Sequence, residues 1–141
     1  MKRLDSFKTK EEAIAYIRNN VYSCLRRNQA EKYLREKLPK ESYYQDKIIN
    51  FLRKNYPQGV VWKEAAGAYS KQGIPDVTFI LNGRYYGFEV KRPFFGVLSR
   101  IQEQTIKNIR AAGGIAEVVT FPEEVRKIVE GNRHGFQGNA G

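Results

Sequence analysis

The sequence predicts an α/β protein. Its core is a mixed sheet in the element order α-β-β-β-α-β, and a basic helical extension precedes it. Three observations carry that reading. The stretch "GIPDVTFILNGRYYGFEVKRP", Gly73 to Pro93, is a β-hairpin around Asn82-Gly83. A helical pattern opened by Ser99 and stopped by Gly113-Gly114 leads into the apolar run "IAEVVT", Ile115 to Thr120. An amphipathic helix over 41–55 stands before all of them.

Taken in order, residues 9–28 read as a helix. Thr9-x-x-Glu12 opens it as a capping box, and Ile14, Ile17, Val21, Cys24 and Leu25 form its apolar stripe, which makes Cys24 a buried thiol. That stripe must bury against the core or a second copy of the chain. A short second helix covers Glu31 to Leu38, and Pro39 interrupts it. Helix 41–55 buries Tyr44, Ile48, Phe51 and Leu52, with Glu41 and Gln45 one turn apart along the same side. "VVWKEA", Val60 to Ala65, is a strand, and "AGAYSKQG" is a loop. The helix after Ser99 turns Ile101, Thr105, Ile109 and Ala112 inward. The strand 115–120 follows 85–91 through that helix, so the two should be parallel with a right-handed crossover. Phe121-Pro122 opens a last helix to about Glu130. The domains are therefore a helical extension over 1–40, a core over 41–130, and a disordered tail over 131–141.

The hairpin register yields the first chemistry. A two-residue type I′ turn at Asn82-Gly83 pairs Leu81 with Arg84 and sets Asp76 directly opposite Glu89. Val77, Phe79, Leu81, Tyr86, Phe88 and Val90 then share the core face. Asp76, Thr78, Ile80, Tyr85, Gly87, Glu89 and Lys91 share the other. Facing residues at such a non-hydrogen-bonded pair have Cβ atoms about 4.5–5.5 Å apart. Like charges there repel, and a divalent cation between them removes the repulsion. Hard oxygen ligands suit Mg²⁺ or Mn²⁺. Lys91, two residues from Glu89, lies on the same face and can reach what the ion holds.

Composition narrows the partners. The chain of 141 residues carries a formal charge of +10 and a pI near 9.8, which favours a polyanionic partner such as nucleic acid. Residues 1–40 hold 11 Lys/Arg against 5 Asp/Glu, a net +6. One cysteine excludes a disulfide framework and Cys-rich zinc sites. One histidine, His134, in a Gly/Asn-rich tail, argues against histidine-based nucleases and Ser-His-Asp hydrolases. With no long apolar run and no leader pattern, a soluble cytoplasmic protein without membrane contact is expected.

An Asp, a spacer and Glu-x-Lys recur by chance in many chains. Here "GIPD" at 73–76, "FEVKRP" at 88–93, Leu98-Ser99-x-x-Gln102 and the element order occur together. Over roughly Glu41 to Glu124 the chain resembles the PD-(D/E)xK nuclease superfamily. More narrowly, it resembles the virus-type replication-repair nuclease (VRR-NUC) domain in its small stand-alone phage and prophage form. The resemblance implies a restriction-endonuclease-like fold and a Mg²⁺- or Mn²⁺-dependent deoxyribonuclease. Pro75-Asp76 matches the "PD" and Glu89-Val90-Lys91 the "ExK"; Glu41 matches the helical glutamate and Gln102 the later glutamine.

The implied metal ligands are Asp76, Glu89, the Val90 carbonyl and Glu41. Lys91 would act on the attacking water or the developing charge, and Gln102 would orient Lys91 or a phosphate. Glu41 also fits an ordinary first-turn acid, and Gln102 the reciprocal half of a capping box. Lys63, Lys71, Arg92 and Arg100 flank the site as candidate phosphate contacts, and Arg18, Arg26, Arg27, Lys32 and Arg35 of the extension as further ones. The family's small members imply a homodimer acting on branched DNA such as four-way junctions. A monomeric flap or nicking nuclease and a non-catalytic DNA-binding protein are the alternatives.

Overall fold

A computed structural model describes residues 1–65 and 72–133. Lys71, His134 and the rest of the expected tail lie outside the described residues. The chain divides into two compact units, Met1–Lys40 with Arg92–Gly96, and Glu41–Lys91 with Val97–Gly141. No described helix is long and apolar enough to cross a membrane.

The larger unit has the expected order: α3 (Glu41–Asn55), β1 (Val60–Lys63), β2 (Val77–Leu81), β3 (Arg84–Val90), α4 (Arg100–Ala111), β4 (Ile115–Val119) and α5 (Pro122–Asn132). The sheet runs β1-β2-β3-β4, antiparallel through its first three strands and parallel between β3 and β4. It is a mixed α/β sheet, as the sequence predicts. The last helix reaches Asn132, so 131 and 132 are helical rather than part of a tail.

The hairpin register is the one expected, with Leu81 opposite Arg84 and Val77 opposite Phe88. Asn82 at φ 52° and Gly83 at φ 78° supply the left-handed conformations the turn requires. All six residues assigned to the core face are buried. They pack with Tyr44, Ile48, Ile49 and Leu52 of α3 and Val125 and Val129 of α5. On α4 the inward stripe differs from the expected one. Ile106 is buried, with Gln102, Thr105 and Ile109 half-buried beside it, while Ile101 and Ala112 are exposed. The spacing 102, 105, 106, 109 is a regular helical face. The expected stripe followed the apolar letters and passed over a glutamine that the fold turns inward.

The smaller unit corrects the reading of the extension. Helix α1 (Lys10–Asn20) ends eight residues early, and α2 (Arg27–Lys37) begins four residues before its expected start. The end of α1 and the start of the turn, "NNVYSC" over 19–24, are poor in strong helix formers, so little local preference opposes a turn there. Arg18 Nε donates to the Leu25 carbonyl across that turn at 3.0 Å. Cys24 therefore sits exposed in the turn, not buried on a helix face. The apolar stripe buries within its own unit: Ala13, Ile14 and Ile17 meet Ala30, Leu34 and Leu38, with Phe94 and Phe95 packed alongside.

Arg92 belongs here as well. Its Nε donates to the Pro39 carbonyl at 3.1 Å, and its Nη2 to those of Arg35 and Leu38 at 2.6 and 3.3 Å. The guanidinium thus satisfies carbonyls at the end of α2, where no intrahelical donor remains. It also stands 5.8 Å from the Phe95 ring. These bonds give Arg92 a structural role. Arg92→Ala should destabilise this unit by about 2 kcal/mol, and Arg92→Lys should recover little, since one ammonium cannot span the fork. Denaturant titrations of both variants check this. Equal stabilities of wild type and Arg92→Ala would contradict it.

Candidate metal-binding acid pair

The segment before β2 brings Asp76 into place. Gly73, at φ +82°, approaches α4 so closely that a Cβ would lie 2.4 Å from Ile101 Cγ2. Pro75 lies over Gly87, where a Cβ would come within 2.9 Å of the Pro75 ring. Only glycine permits both approaches. Asp76 Oδ2 then accepts the Val90 N–H at 2.8 Å, which ties the acid to the opposing strand.

Glu89 continues the β3 ladder on the side away from the main core. It is 1% exposed. Its Oε1 accepts from Gln102 Nε2 at 2.6 Å and stands 3.7 Å from Lys91 Nζ. Its Oε2 is buried with no hydrogen-bond partner among the described residues. Burial pushes the Glu89 carboxyl up to about 8. The Asp76 charge adds to the rise, Lys91 opposes it, and a hydrogen bond from the protonated form to the Asp76 carboxylate, then the Glu41 charge, contribute smaller increases. The metal-free pair therefore holds a proton at neutral pH.

Gln102 serves two purposes. Its Oε1 accepts the Ser99 N–H at 2.9 Å, while Ser99 Oγ accepts the Gln102 N–H at 3.1 Å, a complete capping box. The same side chain donates to Glu89. It orients that carboxylate rather than Lys91. Glu41 opens α3 and its charge reaches Glu89, yet among the described residues no group of three or more His, Cys, Asp or Glu side chains converges as a metal cluster. The arrangement is a two-acid site with a lysine. Lys63 and Arg100 are exposed at the end of β1 and the start of α4.

A divalent cation fits this donor set. It would give the ionised Glu89 Oε2 a partner that the described residues do not, taking the place of the proton between the two acids. The residues available are Asp76 and Glu89, with oxygens from backbone, water or substrate needed to complete the shell.

Glu64 escapes a reading of the sequence alone. Its N–H donates to the Asp76 carbonyl at 2.8 Å, so the antiparallel pairing of β1 and β2 carries it opposite Asp76. Its Oε1 accepts from Trp62 Nε1 at 2.8 Å and from Thr78 Oγ1 at 2.9 Å. No tight turn joins β1 to β2, so the register that would reveal this cannot be counted from letters.

The raised Glu89 carboxyl has a sign that can be tested. The folded state binds a proton that the unfolded chain releases near 4.5, so stability falls as pH rises from about 5 to about 8 and then levels. With a chelator present, the melting temperature of wild type should drop across that range more steeply than that of Glu89→Gln. Parallel profiles would show that Glu89 is ionised throughout.

A solved structure described as "VRR_NUC domain" is similar to this chain at 25% identity, with a TM-score of 0.49; the match covers 64% of this chain and 94% of that one. No family model matches the chain, and neither does any curated protein.

Proposed function

We propose that the protein is a Mg²⁺- or Mn²⁺-dependent DNA endonuclease that hydrolyses phosphodiester bonds, with a preference for branched DNA such as four-way junctions. The observation that carries this reading is the facing pair of a half-buried Asp76 and a buried Glu89, whose Oε2 has no hydrogen-bond donor among the described residues, with Lys91 Nζ 3.7 Å from Glu89 Oε1. An inert hairpin has no use for that arrangement, since it costs stability at neutral pH.

Asp76 and Glu89 would hold the ion, together with the Val90 carbonyl. When bound, the ion supplies charge stabilisation and a water of lowered pKa. Gln102 fixes the Glu89 carboxylate so that its free oxygen is presented in one orientation. Lys91 sets a positive charge where the phosphate acquires negative charge. Glu41 would hold a water at the edge of the ion's shell. Exposed Lys63 and Arg100 would contact phosphates, and Arg26 and Lys32, exposed on the smaller unit, are further candidates. Arg27 is paired with Glu11 and Glu31, and Arg35 lies over the Phe95 ring, so each already has a structural partner. A homodimer would set two sites on the two strands of a symmetric junction.

The test is cleavage of end-labelled four-way junctions, flaps, nicked duplex and continuous duplex, with Mg²⁺, with Mn²⁺ and with a chelator. Ion-dependent cutting of branched substrates is expected. Binding to every substrate without any cutting would sink the enzymatic reading and leave a DNA-binding protein.

A further inference from the structure

Beside the acid pair the sheet carries an aromatic side chain with no role in the chemistry above. Trp62 on β1 stands opposite Thr78, and Thr78 opposite Gly87. Two residues before Thr78, just ahead of β2, is Asp76, a step of roughly 6.7 Å along extended chain. Trp62 is 40% exposed, and Val60 and Ile80 on the same face are 58% and 38% exposed. This part of the sheet face is open.

The indole is anchored. Its only polar group, Nε1–H, is taken by Glu64 Oε1, which Thr78 Oγ1 holds from the other side. What remains to a ligand is the flat apolar face of the ring. The Glu64 carboxylate beside it repels phosphate, so a backbone phosphate does not belong there. A neutral planar group does. Resting on the function proposed above, we infer that Trp62 is a stacking platform for an unpaired nucleobase adjacent to the scissile phosphate. The base must leave its helix to reach the ring, so Trp62 favours substrates with unpaired nucleotides over continuous duplex. Stacking on an aromatic side chain tolerates any base, which suits recognition of structure rather than sequence.

Trp62 is the single tryptophan of the chain, so intrinsic tryptophan fluorescence reports on this position alone. The full-length Asp76→Asn variant with Mg²⁺ is titrated with dye-labelled DNA, either blunt duplex or duplex with a single-stranded overhang. Anisotropy of the dye reads binding, and tryptophan emission reads stacking. Quenching by the overhang DNA and not by blunt duplex is expected. In the same background, Trp62→Ala should weaken overhang binding by roughly tenfold with duplex affinity unchanged, and Trp62→Phe should restore most of the loss. Binding of both DNAs without quenching would overturn the stacking role and leave the nuclease reading intact. Absence of binding to any DNA would remove both. A change of emission on concentrating the protein alone would assign the face to contact between copies and overturn the proposal.

Discussion

Asp76→Asn is expected to yield a protein that still binds DNA but cuts it about 10³-fold more slowly or not at all, because several kcal/mol of ion-dependent stabilisation are lost with one ligand. The structure adds a second consequence of opposite sign. The Asp76 charge is part of what drives the Glu89 carboxyl upward. Neutralising it relieves the pair, so the metal-free variant should melt higher than metal-free wild type. The Val90 N–H still has an acceptor, since the side-chain amide oxygen of the variant takes the place of Asp76 Oδ2. Added Mn²⁺ should raise the melting temperature of wild type, by about 2.7 kcal/mol of stabilisation at a hundred times the dissociation constant, and leave the variant unmoved. Gain of stability together with loss of activity is the signature of a site strained for binding, not of a damaged fold. A variant that cut at the wild-type rate, or that responded to Mn²⁺ as wild type does, would refute the ligand role of Asp76.

Much of the site is legible in the letters, because one short turn fixes the register. Asn82-Gly83 leaves a single pairing, and from it the opposition of the β2 and β3 residues and both hairpin faces follow. Gln102 is only half legible. Its place three residues after Ser99 predicts the cap, but its reach to Glu89 depends on how α4 lies on the sheet, which no local pattern states. Glu64 and Trp62 are not legible at all, since the connection between β1 and β2 is long and leaves the register open.

The extension shows the opposite limit. Its apolar letters at 14, 17, 21, 24 and 25 fit one long helix as well as they fit a turn, and periodicity alone cannot choose. The helical hairpin lets Ile14 and Ile17 bury against Ala30 and Leu34 within the unit, a contact that one continuous helix cannot make with itself. The return of residues 92–96 to this unit depends on Arg92 meeting carbonyls more than fifty positions earlier, and composition encodes none of that.

Lys91 joins two effects that one substitution can separate. Its ammonium lies 3.7 Å from Glu89 Oε1, with the side chain mostly buried. Its charge holds the Glu89 carboxyl lower than burial and Asp76 alone would leave it. In Lys91→Ala that restraint is gone. Glu89 keeps its proton to higher pH, and the apparent affinity for Mn²⁺ at pH 7 should fall. As pH rises toward about 9 the proton is lost in the variant as well, and the affinity gap to wild type should narrow. Turnover should not return. If Lys91 also stabilises charge that develops on the phosphate, kcat at saturating Mn²⁺ stays about 10²- to 10³-fold low at both pH values. Metal titrations and single-turnover cleavage at the two pH values read these effects apart. Full recovery of kcat at pH 9 would reduce Lys91 to a group that tunes the Glu89 carboxyl and would leave the phosphate's charge to the ion alone.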